Sequence, residues 1–205
     1  MIDINIHKNI KTYKGISRLS VADVLPTGSV TKVYGPSGAG KTTFLRTIAG
    51  LIKPEQGRIA VNGQSWLDTA ARINLSPQQR KAGFVFQDYA LFPNMNVRSH
   101  LHYASSDQVL TERLLRIGKM ESFEQHHPQH LSGGQQQRLA ILRALALRPK
   151  VLLMDEAFSA MDDELREGMI PELKILLKEF GTTTLIVSHH AQETLGFADR
   201  SLKID

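Results

Sequence analysis

The sequence predicts an α/β fold, in which a mostly parallel sheet with flanking helices carries an antiparallel β portion at its N-terminus and a small helical subdomain. Short apolar runs of strand length alternate with segments of helical spacing, which is typical of a parallel α/β core. The Asn62-Gly63 dipeptide between two β-type runs predicts a hairpin. Residues 88–146 have mainly helical patterning. We therefore expect one domain, 1–205, in which 88–146 is a helical subdomain inserted in the α/β core.

The N-terminal part is expected to be antiparallel β structure. Residues 1–6 alternate apolar and polar side chains as a strand does, and they lack the apolar block of a secretory signal peptide. The runs 58–61 and 64–66 are the two arms of the predicted hairpin. The sequence ends at Asp205, shortly after the last predicted strand, so we expect neither a regulatory appendage nor a second copy of the domain.

Composition fits one globular domain and limits its partners. The chain is 41% hydrophobic and has no cysteine, which excludes disulfides and thiolate metal sites. No run of about 18 uncharged apolar residues occurs, so no bilayer-spanning segment is expected. The net charge of +5 comes from scattered Lys and Arg, so no nucleic-acid partner is expected. His126, His127 and His130 lie close together, but no ligand spacing completes them, which favours a solvated loop over a metal site.

Residues 35–42 match the phosphate-binding pattern G-x-x-x-x-G-K-[ST], with a predicted strand at 30–34 before them and a helix after them. The glycines let successive backbone N–H groups cradle the β-phosphate of a nucleotide. Lys41 adds a cation that reaches the β and γ oxygens, and the Thr42 hydroxyl is a ligand for Mg²⁺. The predicted binding residues are Gly35, Pro36, Ser37, Gly38, Ala39, Gly40, Lys41, Thr42 and Thr43. The predicted apolar face of the following helix consists of Leu45, Ile48, Ala49 and Ile52.

A second predicted phosphate contact is the segment 131–135, Leu-Ser-Gly-Gly-Gln. Two glycines behind a serine let backbone N–H groups approach an anion, at the start of a helix whose positive dipole end favours negative charge. Apolar residues at helical spacing from 139 to 146 predict that helix, and Pro149 predicts its end.

This segment, followed by Gln136, Gln137 and Arg138, resembles the signature motif of ABC-type ATPases, the ATP-binding subunits of ABC transporters. We call 131–135 the signature segment. Four further elements occur in the order of that family: Gln87 after the strand 84–86, the apolar run 151–154 before Asp155 and Glu156, the segment 159–162, and Ser188-His189 after the strand 184–187. The resemblance covers essentially the whole chain and implies a P-loop ATPase core that binds ATP and Mg²⁺.

The resemblance implies a catalytic role for Glu156, which would polarise the attacking water, and for His189, which would contact the γ-phosphate. Gln87 would reach both this water and Mg²⁺, and Asp155 would hold Mg²⁺ through water together with Thr42. Taken alone, the run 151–156 is equally compatible with a buried strand that leads into a solvated acidic loop.

One further implied contact is made by an aromatic residue. Tyr13 lies close to where the family places a side chain that stacks on adenine. A single tyrosine between two strands is equally compatible with packing or with the surface.

In the ABC family each ATP lies between two chains that pair head to tail. The resemblance therefore implies a homodimer that forms on ATP binding, with ATP between Lys41 of one protomer and the signature segment of the other. The residues implied to bind ATP in trans are Ser132, Gly133, Gly134, Gln135 and Asp162. Two positions depart from the family pattern: Met161 stands where leucine is usual, and His190 stands where an acidic residue is usual.

Membrane partners are also implied. The segment 87–97 resembles the importer version of a loop that receives a helix from an integral membrane permease, although an ordinary turn with core anchors has the same pattern. This segment and the helical subdomain would contact the permease, and a solute-binding protein would act indirectly. The chain would lie peripherally at the cytoplasmic face of the membrane. Importers for molybdate or another oxyanion are the most similar, although molybdate subunits usually carry a C-terminal anion-binding domain that this sequence lacks.

Two other functions are alternatives. A non-transport ABC ATPase that acts on nucleic acid or the ribosome usually has a long coiled coil between the glutamine and the signature, and the interval from Gln87 to Leu131 is too short for one. A different P-loop enzyme, such as a nucleotide kinase, would need an arginine-bearing lid in place of the signature segment. The sequence favours a transporter subunit and leaves its cargo and direction of transport open.

Overall fold

The structure is a computed structural model that describes residues 1–12, 15–188 and 192–205. In chain order the strands are β1 (Ile2–Thr12), β2 (Gly15–Leu25), β3 (Val30–Tyr34), β4 (Gln56–Val61), β5 (Gln64–Asp68), β6 (Ile73–Asn74), β7 (Gly83–Val85), β8 (Val151–Asp155), β9 (Thr183–Val187) and β10 (Arg200–Lys203). The helices are α1 (Lys41–Ala49), α2 (Pro77–Arg80), α3 (Val97–Ala104), α4 (Gln108–Ile117), α5 (Gly133–Ala146) and α6 (Asp163–Phe180).

One of the two sheets is antiparallel, with the strand order β2-β1-β4-β5-β6. The central strand β1 pairs with β2 from Ile2 to Thr12 and with β4 on its other edge. Asn62 and Gly63 have positive φ angles of 49° and 82°, as a type I′ turn between β4 and β5 requires. The predicted hairpin is confirmed, whereas β6 has no counterpart in the sequence pattern because two residues give no periodic signal.

The other sheet is parallel, with the strand order β10-β3-β9-β8-β7. Every residue of β8 and β9 is buried, which explains their lack of apolar and polar alternation. Because the strands are parallel, their carboxyl ends share one edge. The loop 35–40 follows β3 at this edge, Gln87 follows β7, and Asp155 ends β8. The α/β fold class is confirmed, and this edge brings together the loop 35–40, Gln87 and Asp155, which are part of the predicted nucleotide site.

Three helices, α3, α4 and α5, lie between β7 and β8, and α5 packs against both others. Residues 88–96 form turns, as the loop-like pattern of this segment predicts, and Tyr89 and Ala90 have positive φ angles of 63° and 45° that a helix does not allow. From α5, the buried Arg138 donates to the carbonyl oxygen of Gly118 at 2.5 Å and so covers the end of α4. The division into a core and an inserted subdomain at 88–146 stays a prediction.

The helix α1 ends earlier than its apolar spacing predicts. Gly50, with φ 82°, caps it by donating its N–H to carbonyl oxygens of the last turn, so Ile52 lies outside the helix and not on its apolar face. The buried guanidinium of Arg80 covers the same end, donating to the carbonyl oxygens of Thr47 and Ile48 at 2.9 and 2.7 Å. Burial lowers the pKa of Arg80 to about 10, so it is still a cation at neutral pH, and a cation is favourable at a helix C-terminus.

Candidate active site

Two glycines determine the course of the loop 35–40 between β3 and α1. A Cβ on Gly35 would lie 2.0 Å from the carbonyl oxygen of Ile204. A Cβ on Gly40, whose φ is 93°, would lie 2.2 Å from Cδ1 of Ile10. A side chain at either position would therefore force its neighbours to move, and the loop keeps its shape only with glycine there.

The helix α1 begins at Lys41 with no side-chain cap, because its N-cap residue is Gly40. The first N–H groups of a helix have no partner within it, and the helix dipole places partial positive charge at the same end. The start of α1 therefore provides several donors and a favourable potential for a phosphate group.

The ammonium of Lys41 lies inside this loop. Its Nζ donates to the carbonyl oxygens of Gly35 and Pro36, both at 2.9 Å, and the residue is only 6% exposed. These neutral oxygens hold the charge in position without cancelling it. Phosphate oxygens would be better acceptors because hydrogen bonds between two charged groups are the stronger ones.

Asp155 faces the first turn of α1 from the end of β8. The Thr42 hydroxyl donates to its Oδ1 at 3.2 Å, and the aspartate is 2% exposed. Burial raises the pKa of Asp155, and the charge of Glu156 raises it further, against the lowering effect of the Thr42 hydrogen bond. A buried carboxylate beside a hydroxyl offers hard oxygen ligands whose charge a divalent cation would balance, so these residues fit Mg²⁺.

Glu156 follows β8 in a left-handed conformation with φ 53°. Its N–H donates to the carbonyl oxygen of Val187 at 3.0 Å, which attaches it to the end of β9. The Nε2 atom of Gln87 donates to its Oε2 at 3.4 Å. A water beside this pair would have a carboxylate as proton acceptor and an amide as hydrogen-bond donor, as attack on a phosphate requires.

The signature segment forms the start of α5 and contains a capping box. The Ser132 hydroxyl accepts from the N–H of Gln135 at 3.3 Å, and Oε1 of Gln135 accepts from the N–H of Ser132 at 2.7 Å. The pattern S-x-x-Q in the sequence is the signal for this cap. Ser132 and Gly133 are exposed, whereas the side-chain oxygen of Gln135 is engaged in its own helix.

The segment 159–162 leads into α6. Asp162 is the N-cap residue of this helix, and its Oδ1 accepts from the N–H of Leu165 at 2.8 Å. Met161 is buried in the hydrophobic core, where its volume substitutes for leucine. The carboxylate of Asp162 is exposed and held by the cap, and its contact with a partner chain stays a prediction.

Comparison with known protein families shows which family the chain belongs to. A family model described as ABC transporter matches residues 20–159, a range that includes both the phosphate loop and the signature segment. The chain belongs to the ABC transporter family. The family predicted from the motifs is therefore confirmed.

Three curated relatives in this family are named as import ATP-binding proteins. The Fe(3+) ions import ATP-binding protein FbpC of Pseudomonas fluorescens is 41% identical, over 95% of this chain and 56% of its own length. The sulfate/thiosulfate import ATP-binding protein CysA of Mycobacterium bovis is 42% identical, over 86% of this chain and 51% of its own length. The molybdenum import ATP-binding protein ModC of Escherichia coli K12 is 36% identical, over 100% of this chain and 58% of its own length. The chain thus spans about half the length of these relatives.

Solved structures of ABC cassettes share the fold. The dimeric structure of a bacterial ABC transporter cassette superimposes with a TM-score of 0.81 at 32% identity, covering 100% of this chain and 94% of that chain. The same cassette in a post-hydrolysis state bound to ADP and Pi matches equally well. The ABC fold therefore extends over the whole length compared.

Two polar side chains hold the segment 87–97 in this ABC domain, the partly buried Arg143 and the fully buried His100, and sequence reasoning missed both. Arg143 on α5 donates to the carbonyl oxygens of residues 89 and 90 at 3.1 and 2.7 Å. His100 on α3 accepts from the N–H of Phe92 at 2.9 Å, and its burial lowers the pKa of the ring, which favours the neutral form. The spacing of apolar residues predicts the helices that carry Arg143 and His100. It does not indicate that these side chains form hydrogen bonds with backbone atoms of a distant turn.

Some predicted residues cannot be placed, since Tyr13, His189 and His190 lie outside the described residues. Within the described ranges, no group of three or more His, Cys, Asp or Glu side chains is arranged to hold a metal ion, and this includes His126, His127 and His130. In the same ranges, every helix is too short or too polar to cross a bilayer.

Proposed function

We propose that this ABC family member binds ATP and Mg²⁺ and hydrolyses ATP to power a membrane transporter, an importer. The observation that carries the proposal is the convergence of four features at one edge of the parallel sheet: the uncapped start of α1, the Lys41 ammonium, the Thr42–Asp155 pair and the Gln87–Glu156 pair. Phosphoryl transfer to water needs a phosphate cradle, a cation site and a group that accepts the proton of water, and these features supply all three.

In the proposed reaction the loop N–H groups and Lys41 hold the β- and γ-phosphates. Thr42, Asp155 and Gln87 would hold Mg²⁺, which would neutralise negative charge on the ATP phosphates. Glu156 accepts the proton of the water that attacks the γ-phosphorus, while Gln87 donates to the oxygen of this water. The bond between the γ-phosphorus and the β–γ bridging oxygen breaks, and ADP and phosphate leave.

The two remaining assignments rest on the family resemblance. His189 is proposed to contact the γ-phosphate, and Tyr13 is proposed to stack on adenine. Both proposals concern residues outside those that the structure describes.

A second copy of the chain is proposed to complete each ATP site. The trans contacts would come from Ser132, Gly133, Gly134, Gln135 and Asp162 of the partner subunit. The exposure of Ser132 and Gly133 supports this arrangement, because both are open to a second molecule. The dimeric state of the similar solved cassette supports it as well.

The transport role requires an integral membrane permease, which we place against the segment 87–97 and the helices that follow it. This surface includes an exposed aromatic, Tyr103, which is 68% exposed and has its ring 5.2 Å from that of Phe92. A peripheral position at the cytoplasmic face of the membrane follows from this contact, with a solute-binding protein acting indirectly through the permease. Import is supported by the names of the three relatives.

The cargo is proposed to be molybdate or another oxyanion. The relative named for sulfate/thiosulfate supports an oxyanion, and the one named for molybdenum supports a related cargo. The relative named for Fe(3+) is similarly close in sequence, so the ATP-binding chain does not fix the cargo.

The variant Glu156→Gln tests the proposed activity. Wild type should hydrolyse Mg-ATP, whereas the variant should bind ATP but turn over at least about 100-fold more slowly, because an amide cannot accept the proton of water. The variant should also accumulate as an ATP-bound dimer in size-exclusion chromatography with Mg-ATP. Glu167→Gln, which changes an exposed glutamate of α6, is the matched control and should behave like wild type.

Three outcomes separate the alternatives. A wild-type chain without Mg-ATPase activity would reject the proposed reaction, and a fully active Glu156→Gln would place the base elsewhere. A chain that hydrolyses ATP but binds no permease when the two are co-expressed would favour the non-transport role on nucleic acid or the ribosome.

A further inference from the structure

The side-chain amide of Gln137 joins α5 to the candidate active site within one chain. Gln137 is 1% exposed. Its Nε2 donates to the carbonyl oxygen of Glu156 at 2.9 Å and to the hydroxyl of Ser159 at 3.3 Å. Its Oε1 accepts from the N–H of Ala160 at 2.9 Å. One buried side chain on the signature helix therefore bonds to both ends of the connection 156–160.

This connection holds a backbone geometry that needs support. Glu156 is left-handed, a conformation that residues other than glycine adopt reluctantly. Its carbonyl oxygen also accepts from the hydroxyl of Ser159 at 2.9 Å and from the N–H of Ser159 at 3.3 Å, so three donors fix its direction. On α5, a Cβ on Gly134 would lie 2.8 Å from the carbonyl oxygen of Ala160. The connection is therefore contacted twice by α5: by the backbone of the first turn, which packs closely at Gly134, and by the amide of Gln137.

An amide suits this position because it supplies both donors and an acceptor. In a buried site, a hydrogen bond that is left unmade is costly, so the three bonds reinforce one fixed arrangement. A side chain of the same length without these groups would fill the space but would not direct the carbonyl of Glu156.

We propose that Gln137 is a positioning residue that makes the geometry of Glu156 depend on where the first turn of α5 lies. This inference rests on the proposed function, in which Glu156 acts on the ATP of its own chain while Ser132 contacts the ATP held by the partner subunit. When the ATP held by the partner subunit docks at the start of α5, it fixes the position of the first turn of this helix. The amide of Gln137 then transmits this position to the backbone of Glu156.

The test compares Gln137→Met with Gln108→Met. Gln108 is an exposed residue at the start of α4, outside the signature segment and the connection 156–160. We expect Gln137→Met to lower kcat by about tenfold to a hundredfold, as small misplacements of catalytic groups do, with the KM for ATP unchanged. Gln108→Met should keep the wild-type kcat. Thermal unfolding of both variants shows whether they are folded.

The variant Gln137→Glu gives a second readout that packing alone would not affect. Its new carboxyl group keeps the acceptor for Ala160 but can donate to the carbonyl of Glu156 only when protonated, and burial favours protonation. Relative to Gln137→Met, its kcat should therefore rise as the pH falls from 8 to 6, by about fivefold or more.

Three results would overturn the positioning role without touching the proposed function. The first is Gln137→Met with a kcat within about twofold of Gln108→Met. The second is a Gln137→Met variant whose loss appears in KM and melting temperature and leaves kcat intact. The third is Gln137→Glu that is no more active than Gln137→Met at any pH. Failure of the proposed function itself would appear differently, as a wild-type chain that does not hydrolyse Mg-ATP.

Discussion

The two helix starts that we assign to phosphate are built in opposite ways. The helix α1 begins after Gly40, which offers no side-chain cap, whereas α5 begins at Ser132 with a capping box closed by Gln135. The first N–H groups of α1 therefore receive no side-chain cap and are available to a ligand. At the start of α5, the side chains of Ser132 and Gln135 accept hydrogen bonds from two backbone N–H groups. This difference suggests that α1 belongs to a site complete enough to bind phosphate in one chain. In contrast, the capping box closes the first turn of α5 within one chain, and in the proposed dimer this turn would meet phosphate only when two chains associate.

The largest expected effect is on the α1 side of this comparison. Lys41→Ala leaves the N–H cradle but removes the ammonium, so we expect ATP affinity to fall by about 100-fold. Equilibrium titration with a fluorescent ATP analogue measures this affinity. Lys53→Ala, which alters an exposed lysine beyond α1, is the control and should bind like wild type. If Lys41→Ala binds ATP with an affinity within about twofold of wild type, the assignment of ATP to this loop is wrong.

On the α5 side, two variants of Ser132 separate capping from phosphate contact. Ser132→Ala loses the cap and should lower the free energy of unfolding by about 1 kcal/mol, while Ser132→Asp keeps a good N-cap and should change it by less than about 0.5 kcal/mol. Both should bind ATP as monomers with wild-type affinity. Turnover should fall in both, and further with aspartate, because its carboxylate repels the phosphate that must dock there.

Chemical denaturation and ATPase assays measure these two variants. Ser132→Asp with wild-type turnover would contradict the trans contact and leave the capping box as the only role of this serine. Loss of monomer ATP binding in either variant would mean that the two helix starts act on one ATP within a single chain.

The smallest expected effect concerns the carboxylate held against α1. The pKa of Asp155 is raised, chiefly by burial, so the ionised form is disfavoured in the folded chain. Its contribution to stability is therefore present below the unfolded pKa of about 3.8 and is lost as the pH rises through the folded value.

At pH 7, ATP-free Asp155→Asn should consequently be more stable than wild type, by about 1 kcal/mol, although it should lose Mg²⁺-dependent turnover. Its free energy of unfolding should also vary less with pH at acidic pH. Asp88→Asn, at an exposed position, is the control. A destabilised Asp155→Asn would show that the Thr42 hydrogen bond outweighs the cost of burial.

The parts of the fold and site that the sequence predicts well are those encoded locally. Residues 35–40 form a loop because their own glycines allow it, and β8 and β9 are visible as continuous buried runs. The predicted end of α1 was wrong because the apolar spacing continues to Ile52, whereas a left-handed Gly50 ends the hydrogen bonds of the helix first. The capping box at Ser132 is equally local, and the pattern S-x-x-Q could have revealed it.

The remaining features depend on contacts between distant parts of the chain. Glu156 adopts a positive φ that no neighbouring residue type requires, and its geometry is held by Val187 and Gln137. The turns at 88–96 depend in the same way on Arg143, from another element. A pattern of apolar residues specifies which face of a helix is buried, but not which backbone atom a buried polar side chain will meet.

Gly50 and Arg80 restrict how this sequence can diverge. A Cβ on Gly50 would lie 2.8 Å from Nε and 3.0 Å from Cζ of Arg80, and its φ of 82° is itself strained for any other residue. A larger residue at position 50 would therefore push a buried cation away from the last carbonyl groups of the phosphate-loop helix. Among homologous chains we expect glycine at 50 wherever arginine occupies 80. The two positions should change together in evolution although they are far apart in sequence.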